Sequence, residues 1–461
     1  MVVSLVPTIL VVVPVNILWL TILTGNFIIP SRTYVRFECH WEGECMKERV
    51  VAHIDCNAFY YGCEASRNPS LLGKAVVVGG DEEARHGIVL AKSDLAKAAG
   101  IKTGNTIWEA RQRCPGLITL PPNYDLYLYI SRRTREIFSE YSDRTDPFGL
   151  DEAWVDLSGN ETIHSASLLA DKIRQRFIKE LGLTASVGIA DNKIMAKLGS
   201  DYKKPNATTV IRPEDYERMV WPLPASDLLY VGLSTTQKLA RVGINTIGAI
   251  ARSSVDTMRL LLGKNGEMIH SFARGEDKTE VAYTGHTTEI KSIGNSTTTP
   301  RDLFTEEEVK LTFWVLAESV AERLREHGLR AKTIQIHIRD KNLNSFERQM
   351  GLPQSTQLAF ELVAAAMILF QRCYRFDKQP PIRSIGIRGC NLIPDIGMTQ
   401  MSLIPEDNKR LKLEIMESTM DGIRARYGHF AIQRASMLCD HIGKINPKDD
   451  NTIHPVSYTM Q

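Results

Sequence analysis

One acidic residue constrains this chain more than any other. The run "RVVAHIDCNAFYYG" (49–62) begins as an unbroken apolar strand, and Asp55 stands at its end. A strand with no polar alternation is one covered on both faces. A carboxylate closing such a strand is costly unless a cation or hydrogen bonds meet it. A second acidic pair, Asp151 and Glu152, sits in "DPFGLDEAWVDLSG" (146–159), whose alternation reads as a hairpin. Three carboxylates, with no Cys/His cluster at metal spacing, suit a hard cation such as Mg²⁺. Two such ions about 4 Å apart serve phosphoryl transfer. Neighbouring residues in a strand point to opposite faces, so a bend must bring Asp151 and Glu152 together. Taken alone, the pair also reads as a solvated turn and Asp55 as a cap.

The 461 residues suffice for several domains, and 43% hydrophobic with 24% charged residues is a folded rather than a disordered composition. A net charge of +2 gives no global field for a polyanion. A nucleic-acid partner would have to be held by local basic stripes. The eight cysteines form no C-x-x-C pair, so free thiols in a reducing, cytoplasmic setting are expected.

Residues 1–45 differ from the rest. "TILVVVPVNILWLTILTGNFII" (8–29) is long and apolar enough for a bilayer, but no Lys or Arg precedes it, and Pro14 and Asn16 interrupt it. A membrane anchor competes with upstream sequence that is not normally translated. "MKERVVAHID" opens at Met46 like an ordinary start, and "EGEC" before it can be encoded with a purine-rich ribosome-binding sequence. Met46 is therefore the expected start, with no membrane contact.

Further along, "NPSLLGKAVVVGG" (68–80) reads as a turn and a strand from Ala75 to Val78, and a short strand and helix follow in 87–104. Helices are expected over 123–142 and 162–180, and strand, turn and helix over 184–206. "DLLYVGLSTTQKLARVGINTIGAIA" (227–251) reads as two short helices joined by a Gly turn. Residues 290–390 then run β-α-β-β-α-β, a split βαβ pattern of ferredoxin-like type, and an amphipathic helix is expected near 407–427.

Three strings, "HIDCNAFYYGCEASRNPSLLGKAVVVGG", "GLDEAWVDLSG" and "SVGIADNKIMAKLGSDYKKPN", jointly resemble the Y-family, or translesion, DNA polymerases, with the bacterial DNA polymerase IV branch nearest. The resemblance runs from about residue 49 to beyond 400. It implies an α+β right-hand polymerase without proofreading. A ferredoxin-like palm would cover 46–59 and 123–224, with small fingers at 60–122. A helical thumb (225–285), a linker (286–290), a β-α-β-β-α-β little finger (291–392) and a tail (393–461) would follow. The implied substrates are primer-template DNA and a dNTP, and the implied cofactor is a pair of Mg²⁺ ions.

The same resemblance implies residue roles. Asp55 and Asp151 would hold the ions, Cys56 would lend its backbone carbonyl, and Glu152 would complete the catalytic set. Tyr60 would lie under the nucleotide sugar and exclude a 2′-hydroxyl by steric clash. Lys204, in the K-P-N turn, would meet the triphosphate. In the fingers, Asp94 stands near a usual Tyr and Lys97 near a usual Arg, so Lys97 is the point charge left for phosphate. "VGLSTTQKLARVGI" (231–244) resembles a helix-hairpin-helix, with Ser234 where a second Gly is usual. Arg330, Lys332, Arg339, Lys341, Arg383 and Arg388 form a basic row on the little finger strands, suited to phosphate contact. "QMSLI" (400–404) resembles a β sliding clamp peptide, with Gln400, Met401, Leu403 and Ile404 as its contacts. A monomer is expected.

Two rivals come from other classes. Gly79-Gly80-Asp81-Glu82 is similar to the GGDEF signature of diguanylate cyclases, often membrane-tethered, but the hairpin, the K-P-N turn and the little finger pattern have no role in one. A non-catalytic clamp- or DNA-binding homologue is the other, and the presence of all three carboxylates argues against it.

Overall fold

The computed structural model describes residues 26–28, 34–36, 49–80, 87–158, 162–286, 289–395 and 406–438. The chain divides into two units, residues 1–48 and 49–461. In the first, β1 (Asn26–Ile28) pairs antiparallel with β2 (Tyr34–Arg36). Most of the apolar stretch at 8–29 lies outside the described residues. Among those described, no helix is long and apolar enough to cross a membrane.

The second unit begins with β3 (Val51–Cys56), buried at every position. Its residues feed two cores in alternation. Val50, Ala52, Ile54 and Cys56 pack in one cluster, while Val51 joins Trp154, Ile194 and Met195 in another. That double burial is why the run carries no polar alternation. After β3 the chain enters α1 (Phe59–Arg67), then β4 (Val76–Gly79), β5 (Val89–Lys92), α2 (Asp94–Ala98), α3 (Ile107–Arg113) and β6 (Ile118–Leu120). The three strands form a small sheet in the order β5-β4-β6. Its core is slight: Val77, Val89, Ala96, Ile101, Ile107 and Ala110. Gly79 ends β4, and Asp81 and Glu82 lie outside the described residues.

The main sheet resumes with α4 (Tyr124–Ser139), β7 (Thr145–Pro147), β8 (Glu152–Asp156), α5 (Ile163–Arg176), β9 (Ala185–Ala190), α6 (Lys193–Tyr202) and β10 (Thr208–Val210). Asn123 caps α4 by accepting from the Leu126 amide, and Leu126, Ile130 and Ile137 face the core as their spacing predicts. Sheet order is β10-β9-β3-β8-β7. Without β10 this is fourth-first-third-second, the ferredoxin-like order. Helices α4 and α5 share one face, while α6 packs on the other with the segment that follows. That segment holds four short helices: α7 (Leu233–Ala240), α8 (Ile247–Arg252), α9 (Val255–Leu262) and α10 (Lys264–Ala273). Gly243, with φ of 79°, turns the chain between α7 and α8. Further on, the Thr284 amide donates to the Asp143 carbonyl at 2.8 Å.

The β-α-β-β-α-β pattern is realised as β11 (Ser292–Leu303), α11 (Glu306–Glu326), β12 (Leu329–Asp340), β13 (Ser345–Thr356), α12 (Ala359–Cys373) and β14 (Ile382–Pro394). Its sheet order is β11-β14-β12-β13, so here the second and fourth strands are central. The split βαβ connections are as expected, but the ferredoxin-like strand order is not. Each crossover helix spans one intervening strand in either arrangement, so element order alone does not select between them. Both helices cover one face, over Ile334, Ile336, Ile338, Ile385 and Ile387. The tail helix α13 (Glu406–Tyr427) docks on this module through Arg325 with Glu417 and Asp421, and through Arg424 with Glu318.

Candidate active site

The carboxylates meet where β3 ends and β8 begins. Asp55 is in register with Glu152, and the Cys56 amide donates to the Asp151 carbonyl at 2.9 Å. Asp151 lies in a bend before β8, not in the strand, so alternation does not force it away from Glu152. Asp55 is buried, and Asp151 and Glu152 are partly so. Burial and then the Asp55 charge push the Asp151 carboxyl up to about 6. Burial also pushes Glu152 up, to about 7, against the pull of Lys197. The Cys56 thiol packs in the apolar core and is raised well above its ordinary value by burial and by Asp151, so its backbone carbonyl is the group it can offer a cation.

Two lysines stand among these acids. Lys204 Nζ lies 2.8 Å from both Asp55 and Asp201. Lys197 Nζ lies 2.6 Å from Glu152, 3.7 Å from Asp201 and 4.0 Å from Asp55. Sequence reasoning found Lys204 and missed Lys197. The signal was present, because Lys197, Asp201 and Lys204 recur at i, i+4 and i+7, one face of a helix and its exit turn. His53 was missed as well. Its Nδ1 lies 2.8 Å from Ser200 Oγ and its Nε2 lies 3.5 Å from Glu152. Burial and then Lys197 hold its pKa well below the ordinary value, so the ring is neutral.

The close approach of α6 holds this arrangement. A Cβ on Gly188 would collide with the Ala196 carbonyl and the Ser200 amide, so the helix backbone lies directly on β9. The turn carrying Lys204 is pinned by Asn206, whose amide donates to Asn57 Oδ1 at 2.8 Å and whose side-chain oxygen accepts from Arg174 Nη2 at 2.9 Å.

Tyr60 reaches the same place from the other side. Ala58 takes the left-handed conformation (φ 45°) and turns the chain sharply out of β3 into α1. The Tyr60 ring then packs 4.6 Å from that of Tyr127. Its hydroxyl is pushed up to about 12 by burial, with Tyr124 and Asp151 adding to the effect. Lys97 sits on the exposed face of α2. Its charge lowers the pKa of Lys92 after burial does, and Asp94 bears on Tyr61.

Among the described residues, no three His, Cys, Asp or Glu side chains converge closely enough to form a metal sphere as they stand. The donor set nevertheless fits Mg²⁺: hard carboxylate oxygens, two of them raised in pKa chiefly by burial and further by a neighbouring carboxylate. The basic row of the β-α-β-β-α-β module requires one correction. Arg330 is buried and pairs with Asp395 and Glu414, so it anchors the tail helix instead of facing solvent. Lys332, Arg339, Lys341 and Arg388 are exposed. Gln400, Met401, Leu403 and Ile404 lie outside the described residues.

Family models match residues 54–201 (impB/mucB/samB family), 290–403 (its C-terminal domain) and 226–277 (DNA polymerase-iota, thumb domain). DNA polymerase IV of Acetivibrio thermocellus is 43% identical over 394 residues, covering 85% of this chain and 98% of that protein. This chain belongs to the Y-family DNA polymerases, in the DNA polymerase IV branch. DNA polymerase IV 1 of Bacillus subtilis is 35% identical over 393 residues, covering 85% of this chain and 94% of the relative. A solved chimera of two Y-family polymerases, Dbh and Dpo4, shares the fold, with a TM-score of 0.66 at 23% identity over 75% of this chain and 99% of its own. As a Y-family member the chain is a DNA-directed DNA polymerase of the translesion class. The cyclase alternative finds no support in these relatives.

Proposed function

We propose that this polymerase extends a primer 3′ end from dNTPs by two-metal nucleotidyl transfer at the β3–β8 junction. The in-register pairing of Asp55 with Glu152, beside the bend that carries Asp151, is the observation that carries this reading. Asp55, Asp151, Glu152 and the Cys56 carbonyl would hold two Mg²⁺ ions. When bound, the ions supply positive charge for the triphosphate and for the primer oxygen that attacks it. Tyr60, packed against Tyr127, would exclude a 2′-hydroxyl by steric clash. Lys204, already held at Asp55, is placed to turn to a triphosphate, and Lys97 adds a point charge from α2. The palm, fingers, thumb, linker and little finger take the boundaries given above. The small fingers core supports an open site that accepts damaged template bases.

The exposed lysines and arginines of the little finger track DNA phosphates. Residues 400–404 dock on a β sliding clamp, and the protein works as a cytoplasmic monomer. Primer extension with Mg²⁺ across an intact and an abasic template tests the core of this reading. Wild type extends both and Asp151→Ala extends neither; equal extension by the two proteins refutes it. Tyr60→Ala admits ribonucleotides, and continued rejection removes the gate. Gln400→Ala with Leu403→Ala abolishes clamp binding, and unchanged binding removes that motif.

A further inference from the structure

Among the described residues, Lys197 is the lysine that touches Glu152. Glu152 Oε2 accepts from Lys197 Nζ at 2.6 Å, while the facing His53 ring is fully buried and its Nε2 makes no hydrogen bond. The same ammonium sits 4.0 Å from Asp55 and 3.7 Å from Asp201. Lys204, the other lysine, is twice as exposed in its side chain, 32% against 16%, and hangs from the turn after α6. Lys197 by contrast rises from within α6, and the Gly188 contact presses that helix onto the sheet. The inner lysine is therefore held in place, and the outer one is at the mouth.

We propose that Lys197 is a tethered counter-cation for Glu152 and Asp55, a positioning residue whose ammonium a divalent ion must outcompete, so that it sets the site's affinity for that ion. The inference rests on the reading that these carboxylates hold the divalent ions. Without Lys197 the acids would repel one another across a half-buried cleft. With it, they are held in alignment on one ammonium, and an arriving cation gains less than it would at a bare site. A merely structural lysine would have the opposite signature: its loss would loosen the site and weaken metal binding.

Mn²⁺ binding to the full-length, nucleotide-free protein separates the two. The readouts are the paramagnetic resonance signal of free Mn²⁺ and the Mn²⁺-induced shift in melting temperature. Lys197→Met is expected to bind Mn²⁺ about tenfold more tightly than wild type, as removal of a nearby unit charge from a half-buried site requires. Its melting shift on adding Mn²⁺ should be larger, and Lys197→Arg should stay near wild type. Equal or weaker binding by folded Lys197→Met overturns the inference. If that variant is unfolded in chelator, recovery of a cooperative melt on adding Mn²⁺ supports it, and no recovery overturns it. Asp151→Asn checks the underlying reading. If it binds Mn²⁺ as wild type does, the carboxylate site itself falls and the inference with it. If it loses binding while Lys197→Met shows no gain, only the counter-cation role fails.

Discussion

The module built on β3 and β8, proposed above as the palm, and the module over residues 292–394, proposed above as the little finger, share one order of elements and differ in almost everything that matters for function. Both run β-α-β-β-α-β. In the palm the first and third strands, β3 and β8, are central; in the little finger the second and fourth, β12 and β14, are. The palm sheet is covered twice, by α4 and α5 on one face and by α6 on the other. The little finger sheet is covered once, by α11 and α12. Coverage decides what charge can do. Between two covered faces, Asp55 and Glu152 are desolvated and paired with Lys204 and Lys197, which is where a few charges gain leverage over chemistry. On an open face, Arg339 and Arg388 stay hydrated and exposed, which suits contact with a phosphate backbone of any sequence.

The largest expected break in this comparison is Asp151→Asn against Arg388→Ala. The first should lower primer extension by about a thousandfold or more while DNA binding persists. The second should leave the chemical step nearly intact, as single-turnover kinetics on saturating DNA will show. A second contrast uses glycines. Gly188→Ala forces a Cβ into the α6 backbone and should cost about 3 kcal/mol or more in denaturant unfolding. Gly351→Ala, on edge strand β13 with nothing within 4 Å of its new Cβ, should change stability by about 0.5 kcal/mol or less.

Acid should separate the two modules next. Asp151 and Glu152 have folded pKa values raised to about 6 and about 7, above those of the unfolded chain. The metal-free palm therefore holds a stabilising proton at low pH and loses that stability as pH rises from about 4 through 7. Divalent ions must displace those protons, so Mn²⁺ affinity should fall as pH drops from 7.5 to 5.5. DNA binding by little finger arginines should not change over the same range. Calorimetric melts in chelator and Mn²⁺ titrations at several pH values check both signs. The smallest effect is that of Arg388→Ala on DNA affinity, a loss of a few-fold with the salt slope reduced by about one.

Much of this molecule is legible in its sequence. The apolar run of β3 announced a buried strand, because solvent exposure writes itself into residue type at every second position. The acids, Tyr60 and Lys204 were likewise readable as a constellation. Lys197 and His53 were missed: Lys197 shares a helical face with Asp201 and Lys204, but its place beside Glu152, like that of His53, comes from the packing of α6 and β3 with β8. Arg330 showed the reverse error: a basic residue in a basic row proved to be buried against Asp395 and Glu414, because the tail helix folds back over it.

What the residues determined by themselves was the set of elements and the face each must bury, since periodicity and burial are local facts. Strand order, the closing of the palm's second face by α6 and the placing of a fixed lysine among three acids were decided only by tertiary packing. Those choices depend on contacts between segments far apart in the chain, and the sequence pattern is silent between alternatives that bury the same faces.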